Sequence, residues 1–258
     1  MLKIYPLIGA ALLLVACGAP KARLGPGAGS GAPPYRQNIA GASIYRIDPT
    51  QSELRLLVHR AGPLARFGHN HVIVSHALGG RLQVGDTVAA TSFSLRVPVA
   101  ELVVDDPAER AAEGADFIEE VPEDARSGTR RNMLSAAVLD ADQFTAITLA
   151  SIAMTQSPDT PSSGTPSPGA SPPGLQVSGA MLATVTVNVA GHESVLRVPF
   201  TLDMSGDRIS AFGNTQLRQS DLGLTPFSVM LGALQIQDQF TVKFTWVALK
   251  EPKGHPEK

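Results

Sequence analysis

Cysteine is all but absent: Cys17 is the only one in 258 residues. One thiol excludes an intramolecular disulfide, so the fold must hold through an apolar core. Charge of one sign is lacking as well. With 21 Lys and Arg against 23 Asp and Glu, the formal net charge is -2, and no basic cluster offers a footprint for nucleic acid. Aromatic residues make up only 5% of the chain. Apart from the first sixteen residues, no apolar run approaches the roughly 20 residues that a spanning helix needs. Catalytic frames are missing too, since no serine stands in a nucleophile elbow and no carboxylates are paired in a recognisable pattern. An acid/base reading of His69 with Asp48 or Asp221 has nothing to bring the groups together.

What is present begins at the amino end. Lys3 precedes an apolar stretch, Ile4 to Val15, that is too short to cross a bilayer as a helix and ends in Leu14-Val15-Ala16-Cys17. These are the parts of an export signal. Leu-Val-Ala-Cys resembles the lipobox of bacterial lipoproteins, which implies cleavage before Cys17, acylation of its thiol and new amine (palmitate included), and a lipid-anchored protein of the cell envelope facing the periplasm. Gly18, rather than an aspartate, follows the cysteine, which favours the outer over the inner membrane in a two-membrane cell. The other reading is a plain secretory signal that happens to contain a cysteine.

Composition then divides the chain. Residues 1–16 read as the signal and 17–42 as a Gly/Ala/Pro-rich tether. Residues 43–250 read as one domain, with 251–258 as a tail. Within the domain, apolar residues recur with a period of two over Ile44–Val58, Val72–Val84, Thr91–Val99, Ile147–Met154, Leu175–Val189, Ser194–Met204, Arg208–Leu217 and Phe240–Leu249. Gly79-Gly80, Gly85-Asp86, Gly191-His192 and Ser205-Gly206-Asp207 punctuate these runs as turns. About eight strands joined by tight turns predict an antiparallel meander closed into a barrel or folded into a sandwich.

Two segments interrupt the alternation. Residues 105–131 are acid-rich and predict one or two short helices in a solvated connection, or alternatively an acidic recognition surface, with the basic end Arg126, Arg130 and Arg131 pairing locally with the acid. Residues 156–174 are Pro/Ser/Thr/Gly-rich and predict a disordered insertion at a hairpin tip.

Three stretches carry a resemblance. They are Tyr45-Arg46-Ile47-Asp48-Pro49-Thr50-Gln51-Ser52-Glu53-Leu54, Gly62-Pro63-Leu64-Ala65-Arg66-Phe67-Gly68-His69-Asn70-His71, and Arg131-Asn132-Met133-Leu134 leading to Val138-Leu139-Asp140-Ala141-Asp142-Gln143-Phe144. With the closing Leu217-Arg218-Gln219-Ser220-Asp221-Leu222-Gly223-Leu224 and Val242-Lys243-Phe244-Thr245-Trp246, the chain resembles the YceI-like family. That resemblance implies an all-β fold with a short helical insertion: an antiparallel eight-stranded lipocalin-like β-barrel with a helix near its mouth. It also implies binding of an isoprenoid, polyisoprenoid or isoprenoid-quinone-like chain. The missing catalytic frames point to a protein that is not an enzyme, with a metal-assisted reaction at the histidines as the remaining catalytic reading. The partners are then the membrane, through acylated Cys17, and an apolar small molecule. Family members can pair as a homodimer, but no apolar stripe in the sequence announces an interface.

Candidate cavity residues are Phe93, Leu95 and Val97 on one strand and Leu182, Val185, Val187 and Val189 on another. The same residues would equally fill a solid barrel. A histidine cluster, His59, His69, His71 and His76, departs from the commoner family pattern. His69 and His71 would share one side of an extended segment, and His59 could join them. Imidazoles so placed could hold zinc or another divalent metal, contact the head group of a lipid or quinone, or bond local backbone. The first of these makes the alternative function a histidine-based metal-binding or redox-related envelope protein on the same barrel scaffold.

Overall fold

The computed structural model describes residues 41–157 and 177–252. Its strands are β1 (Ser43–Ile47), β2 (Glu53–Ala61), β3 (His71–Ser75), β4 (Gly79–Val84), β5 (Ser92–Pro98), β6 (Val103–Val104), β7 (Ala146–Gln156), β8 (Val177–Val189), β9 (His192–Ser205), β10 (Arg208–Arg218), β11 (Ser228–Val229) and β12 (Leu234–Lys250). Two α-helices, α1 (Pro107–Ala111) and α2 (Glu123–Leu134), lie between β6 and β7.

All strand pairs are antiparallel, and the sheet closes through β1 with β12. Eight staves make the barrel, because the first three are each broken in two. β12 pairs with β1 at one end and with β2 along the rest, so β1 and β2 form one interrupted stave. β3 and β4 form the next, and β5 and β6 the third. β7, β8, β9, β10 and β12 complete the ring. Every stave neighbours its predecessor, which is an up-and-down barrel.

The breaks follow from sequence. Between β1 and β2, Pro49 opens a single 3-10 turn capped by Asp48, whose carboxylate accepts from the Thr50 amide at 3.0 Å and the Thr50 hydroxyl at 2.7 Å. Ser52 Oγ then accepts from the Val247 amide at 3.0 Å, filling the gap left in the ladder. Gly79-Gly80 is not a turn, contrary to expectation: both residues begin β4. A Cβ at Gly80 would lie 2.3 Å from the Ser94 carbonyl oxygen, so glycine there allows close strand approach.

Alternation is cleanest in β8, where Val177, Met181, Ala183, Val185, Val187 and Val189 are buried and their neighbours are not. Leu182 has the opposite parity and faces outward, contrary to its expected place in the cavity, because a strand's period of two cannot place 182 and 185 on one face.

The 105–131 segment is more than a solvated connection. Phe117 and Val121 are buried, and Phe117 joins Leu57, Val72 and Val74 in a second small core on the outer face of β2 and β3. Charges fasten the rest. Arg55, buried on the same face, bonds Glu53 at 2.7 Å and also Glu109, with Glu113 at 3.3 Å. Of the three basic residues expected to pair locally with the acid, Arg126 pairs with Glu123 and Arg130 donates to the Ala100 carbonyl at 2.7 Å. The insertion therefore packs onto the barrel and lays α2 against β6.

The signal, Cys17, the tether to residue 40 and residues 158–174 of the Pro/Ser insertion lie outside the described residues. So does the tail beyond residue 252. Among the described residues no helix is long and apolar enough to cross a membrane.

Candidate functional site: a half-hollow barrel with a polar mouth

The barrel interior is solid at one pole and hollow at the other. At the closed pole, where the chain enters β1 and leaves β12, Tyr45, Ile47, Leu82, Met181, Leu202, Met204, Ile209 and Ala248 are buried in one core. Toward the other pole the side chains stop meeting, leaving a cavity of about 600 Å³. That falls within the volume range of small-molecule pockets. Phe93, Phe200 and Trp246 line its lower part, with the Phe93 and Trp246 rings 6.3 Å apart.

Staves contribute their inward positions. Leu54, Leu56 and Val58 come from β2; Phe93, Leu95 and Val97 from β5; Ile147 and Leu149 from β7. Ala183, Val185, Val187 and Val189 come from β8, with Leu196 and Val198 from β9 and Val242 and Phe244 from β12. Six of the seven sequence candidates, Phe93, Leu95, Val97, Val185, Val187 and Val189, thus line the space. Ala183 stands where Leu182 was expected.

Two contributions escaped sequence reading. The helix α2 closes part of the wall with Ala125, Thr129, Asn132 and Met133. Its amphipathic stripe is hard to see because its charged residues dominate the segment. The span 222–236 adds Leu222, Leu224, Phe227, Val229, Leu234 and Ile236. A signal existed there, because residues 222–237 contain no charged side chain.

Polar groups gather at the mouth: Arg60, His69, His71, Gln219 and Gln235 line it. His69 and His71 both face the cavity. His59 does not. It sits on β2 at the parity opposite to Leu56 and Val58, with its ring centroid 5.3 Å from that of Phe117 on the outside. Contrary to expectation, His59 therefore does not join His69 and His71 in a ligand set. Among the described residues, Glu53, His76 and Glu109 form the group that could hold a cation, but Arg55 pairs with both carboxylates and already neutralises the charge they would offer a metal.

His71 is held by a buried carboxylate. Its Nδ1 lies 2.7 Å from Oδ2 of Asp105, a residue only 1% exposed. The other oxygen, Oδ1, accepts from the Val72 amide at 2.9 Å and from Arg110 Nη1 at 2.6 Å. Arg110, itself buried, also donates to the carbonyls of Asn70 at 2.6 Å and Glu119 at 2.8 Å. Burial pushes the Asp105 carboxyl up, but the hydrogen bond and charge of His71, the Val72 amide and Arg110 outweigh it and hold the carboxyl below its ordinary value. An ionised carboxylate can only accept. His71 Nδ1 must therefore carry the proton it donates, and Nε2 remains as the ring nitrogen available to a ligand. Nε2 accepts in the neutral ring and donates in the charged one, and a hydroxyl can answer either.

The mouth is bounded by two loops. In one, Ala65–Phe67 form a 3-10 turn; the other is the tip of the β11–β12 hairpin. The Leu64 amide donates to the Ala233 carbonyl at 2.8 Å and joins them. Gly62, at φ +90°, makes the approach possible, since a Cβ there would meet the Ala233 oxygen at 2.6 Å.

Comparison with known proteins agrees with this architecture. No curated protein matches the sequence. Among solved structures, BcnA of Burkholderia cenocepacia superposes with a TM-score of 0.51 at 13% identity, covering 78% of this chain and 98% of that one. A polyisoprenoid binding domain from Saccharophagus degradans, implicated in plant cell wall breakdown, gives a TM-score of 0.49 at 12% identity, covering 80% of this chain and 98% of that one. At 13% identity the BcnA superposition speaks to fold alone. The sequence signature of the YceI-like domain, however, matches residues 45–248, nearly the whole barrel, and this protein belongs to the YceI-like family.

Proposed function

We propose that the protein binds a single slender apolar chain, of isoprenoid or polyisoprenoid type, with its tail in the barrel and its polar end at the histidine-lined mouth. The observation that carries this reading is the cavity of about 600 Å³ walled by aliphatic and aromatic side chains on a packed floor. A void that size in a folded protein costs contact energy unless something fills it. Filling it with an alkenyl chain would return roughly 0.8 kcal/mol per methylene-sized unit, less the cost of ordering the chain. The association of the YceI-like family with isoprenoid chains supports the choice of ligand class. The gathering of Arg60 and the two imidazoles at the mouth supports a ligand with one polar end.

The export signal and lipobox-like Leu14-Val15-Ala16-Cys17 support a second part of the proposal: the barrel is an envelope lipoprotein, tethered by acylated Cys17 beside the bilayer that holds its ligand. A carrier that neither cuts nor forms bonds needs no catalytic group. The purified protein, extracted with organic solvent and analysed by mass spectrometry, should release one long alkenyl species in near-stoichiometric amount. A clean extract from protein purified without detergent would sink the proposal. Elemental analysis of the same sample addresses zinc or another divalent metal at His69 and His71, and the carrier reading expects none in stoichiometric amount.

A further inference from the structure

The cavity does not end at a polar rim on all sides. Where the two mouth loops meet, large apolar side chains stand in the open. Phe67 is 63% exposed and Met230 67%, and Leu231 is fully exposed. Phe67 and Val229 also line the cavity, so the apolar interior runs out onto this lip without a break. Charge is scarce around it. Residues 222–237 carry none, and in residues 61–68 the single charged residue is Arg66, whose guanidinium carbon lies 4.5 Å over the Phe67 ring. Met230 and Leu231 both take left-handed backbone angles, φ 53° and 54°, a conformation that side chains of this kind rarely adopt. The hairpin thus keeps two of its largest apolar groups turned outward rather than folded onto the mouth they border.

We propose that this lip, Phe67, Val229, Met230 and Leu231, is a membrane-contacting surface that inserts into a phospholipid bilayer and places the cavity mouth against the acyl chains. The inference rests on the reading of the cavity as a site for an apolar chain. Such a chain cannot cross water cheaply, so a container whose mouth touches the bilayer avoids exposing it.

The chain outside the described residues argues for a bilayer rather than a second copy or a protein partner. The tether joins the barrel at Ser43, which pairs with Val84 beside the end of β12 at the closed pole. An anchor at Cys17 would alone hold the wrong pole nearest the membrane. The roughly 26 residues from Cys17 to Ser43 reach about 85 Å at full extension, whereas the longest stave, β12, runs about 55 Å along its strand and less along the tilted barrel axis. The leash is long enough to let the barrel turn over and bring its lip to the surface in which Cys17 is anchored.

The test uses the full chain with Cys17→Ser, which leaves no other thiol, and a single new thiol from Leu231→Cys or, as a control at the closed pole, Asp207→Cys. Asp207 is exposed there, its carbonyl accepting from the Lys250 amide at 2.9 Å. Each variant carries a thiol-reactive fluorophore and meets phosphatidylcholine vesicles with brominated acyl chains, after circular dichroism has shown the barrel folded. Emission from position 231 should fall roughly twofold or more while position 207 stays unquenched. A double variant, Met230→Asp with Phe67→Asp, should cut that quenching about tenfold. Equal response at both positions, or none at 231, overturns the proposal. So does shielding of position 231 that grows with protein concentration in the absence of vesicles, which would make the lip an interface between copies. Ligand content, measured by extraction on the same preparations, keeps the two readings apart. Protein that quenches at 231 but carries no apolar ligand retains the lip and loses the cavity reading; protein that carries ligand without quenching loses the lip alone.

Discussion

Asp105 shows how much one residue can fasten. It sits at φ +54°, is nearly inaccessible, and ties β3, α1 and the mouth histidine together through its two oxygens. Replacing it by asparagine leaves Arg110 buried without its counter-charge, and breaking a buried pair from one side costs about 3–5 kcal/mol. Urea unfolding of Asp105→Asn should show a loss in that range, and a loss within error would mean that Arg110 finds another partner. The sign of the pH dependence follows from the depressed carboxyl. A folded value below the unfolded one stabilises the protein above the unfolded pKa of about 3.9, and that contribution disappears as pH falls through the folded value. Asp105→Asn should therefore flatten the acid limb of stability against pH, and a limb unchanged in shape would place the acid sensitivity elsewhere. His71→Phe keeps ring volume and removes Nε2. It should weaken retention of a hydroxyl-ended chain by about tenfold, the worth of one hydrogen bond of roughly 1.4 kcal/mol, while leaving a plain hydrocarbon of equal length unaffected. The sequence offered His71 as a site residue, but gave no hint of Asp105, which lies 34 positions away. Pairings at that range depend on how the insertion folds back, and no local pattern records it.

At the scale of elements, the strands were the most legible part, because a period of two is forced on any stave with one wet and one dry face. All eight alternating runs correspond to staves. Their breaks were less visible, since Asp48-Pro49-Thr50-Gln51 reads equally well as the end of a strand or as a kink within one. The β8–β9 connection illustrates what turn chemistry can and cannot reveal. Gly191 was legible as a turn residue, and the loop proves to be Ala190-Gly191 with φ of 49° and 79°, the mirror-image turn that suits the twist of a two-residue hairpin. Its packing was not legible: a Cβ at Gly191 would lie 2.6 Å from the ring of Phe144. Gly191→Ala should thus cost about 1–3 kcal/mol, by adding backbone strain to a displaced ring, read as a fall in melting temperature. An unchanged melting temperature would mean that Phe144 has room to move. The packing of the insertion is illegible in the sequence for a related reason. A few apolar residues among many acids look like a solvated segment until the outer face of β2 and β3, with Leu57, Val72 and Val74, supplies a partner surface for Phe117.

For the molecule as a whole, the decisive feature is that one barrel contains both a packed core and a hollow. Sequence could not separate these, because an inward valine looks the same whether it meets another side chain or empty space. The structure separates them by level: Met181, Leu202 and Ile209 fill the closed pole, whereas Val185, Val187 and Val189 face the cavity. The closed pole supplies the stability that a chain with a single cysteine cannot take from disulfides, and it leaves the open pole free to be hollow. This division predicts an unusual response to overpacking. Val187→Trp adds bulk where there is space, so it should fold with a stability change of less than about 1.5 kcal/mol, against the 1–3 kcal/mol typical of an overfilled core, while excluding ligand.

The measurement that bears most directly on this account is the mass of the folded protein. Native mass spectrometry of protein purified without detergent should give a mass exceeding that of the denatured chain by one long alkenyl molecule, and Val187→Trp should remove the excess. Folded and denatured masses that agree in the unsubstituted protein, or an excess that Val187→Trp leaves intact, would contradict the claim that the hollow half of the barrel holds an apolar chain.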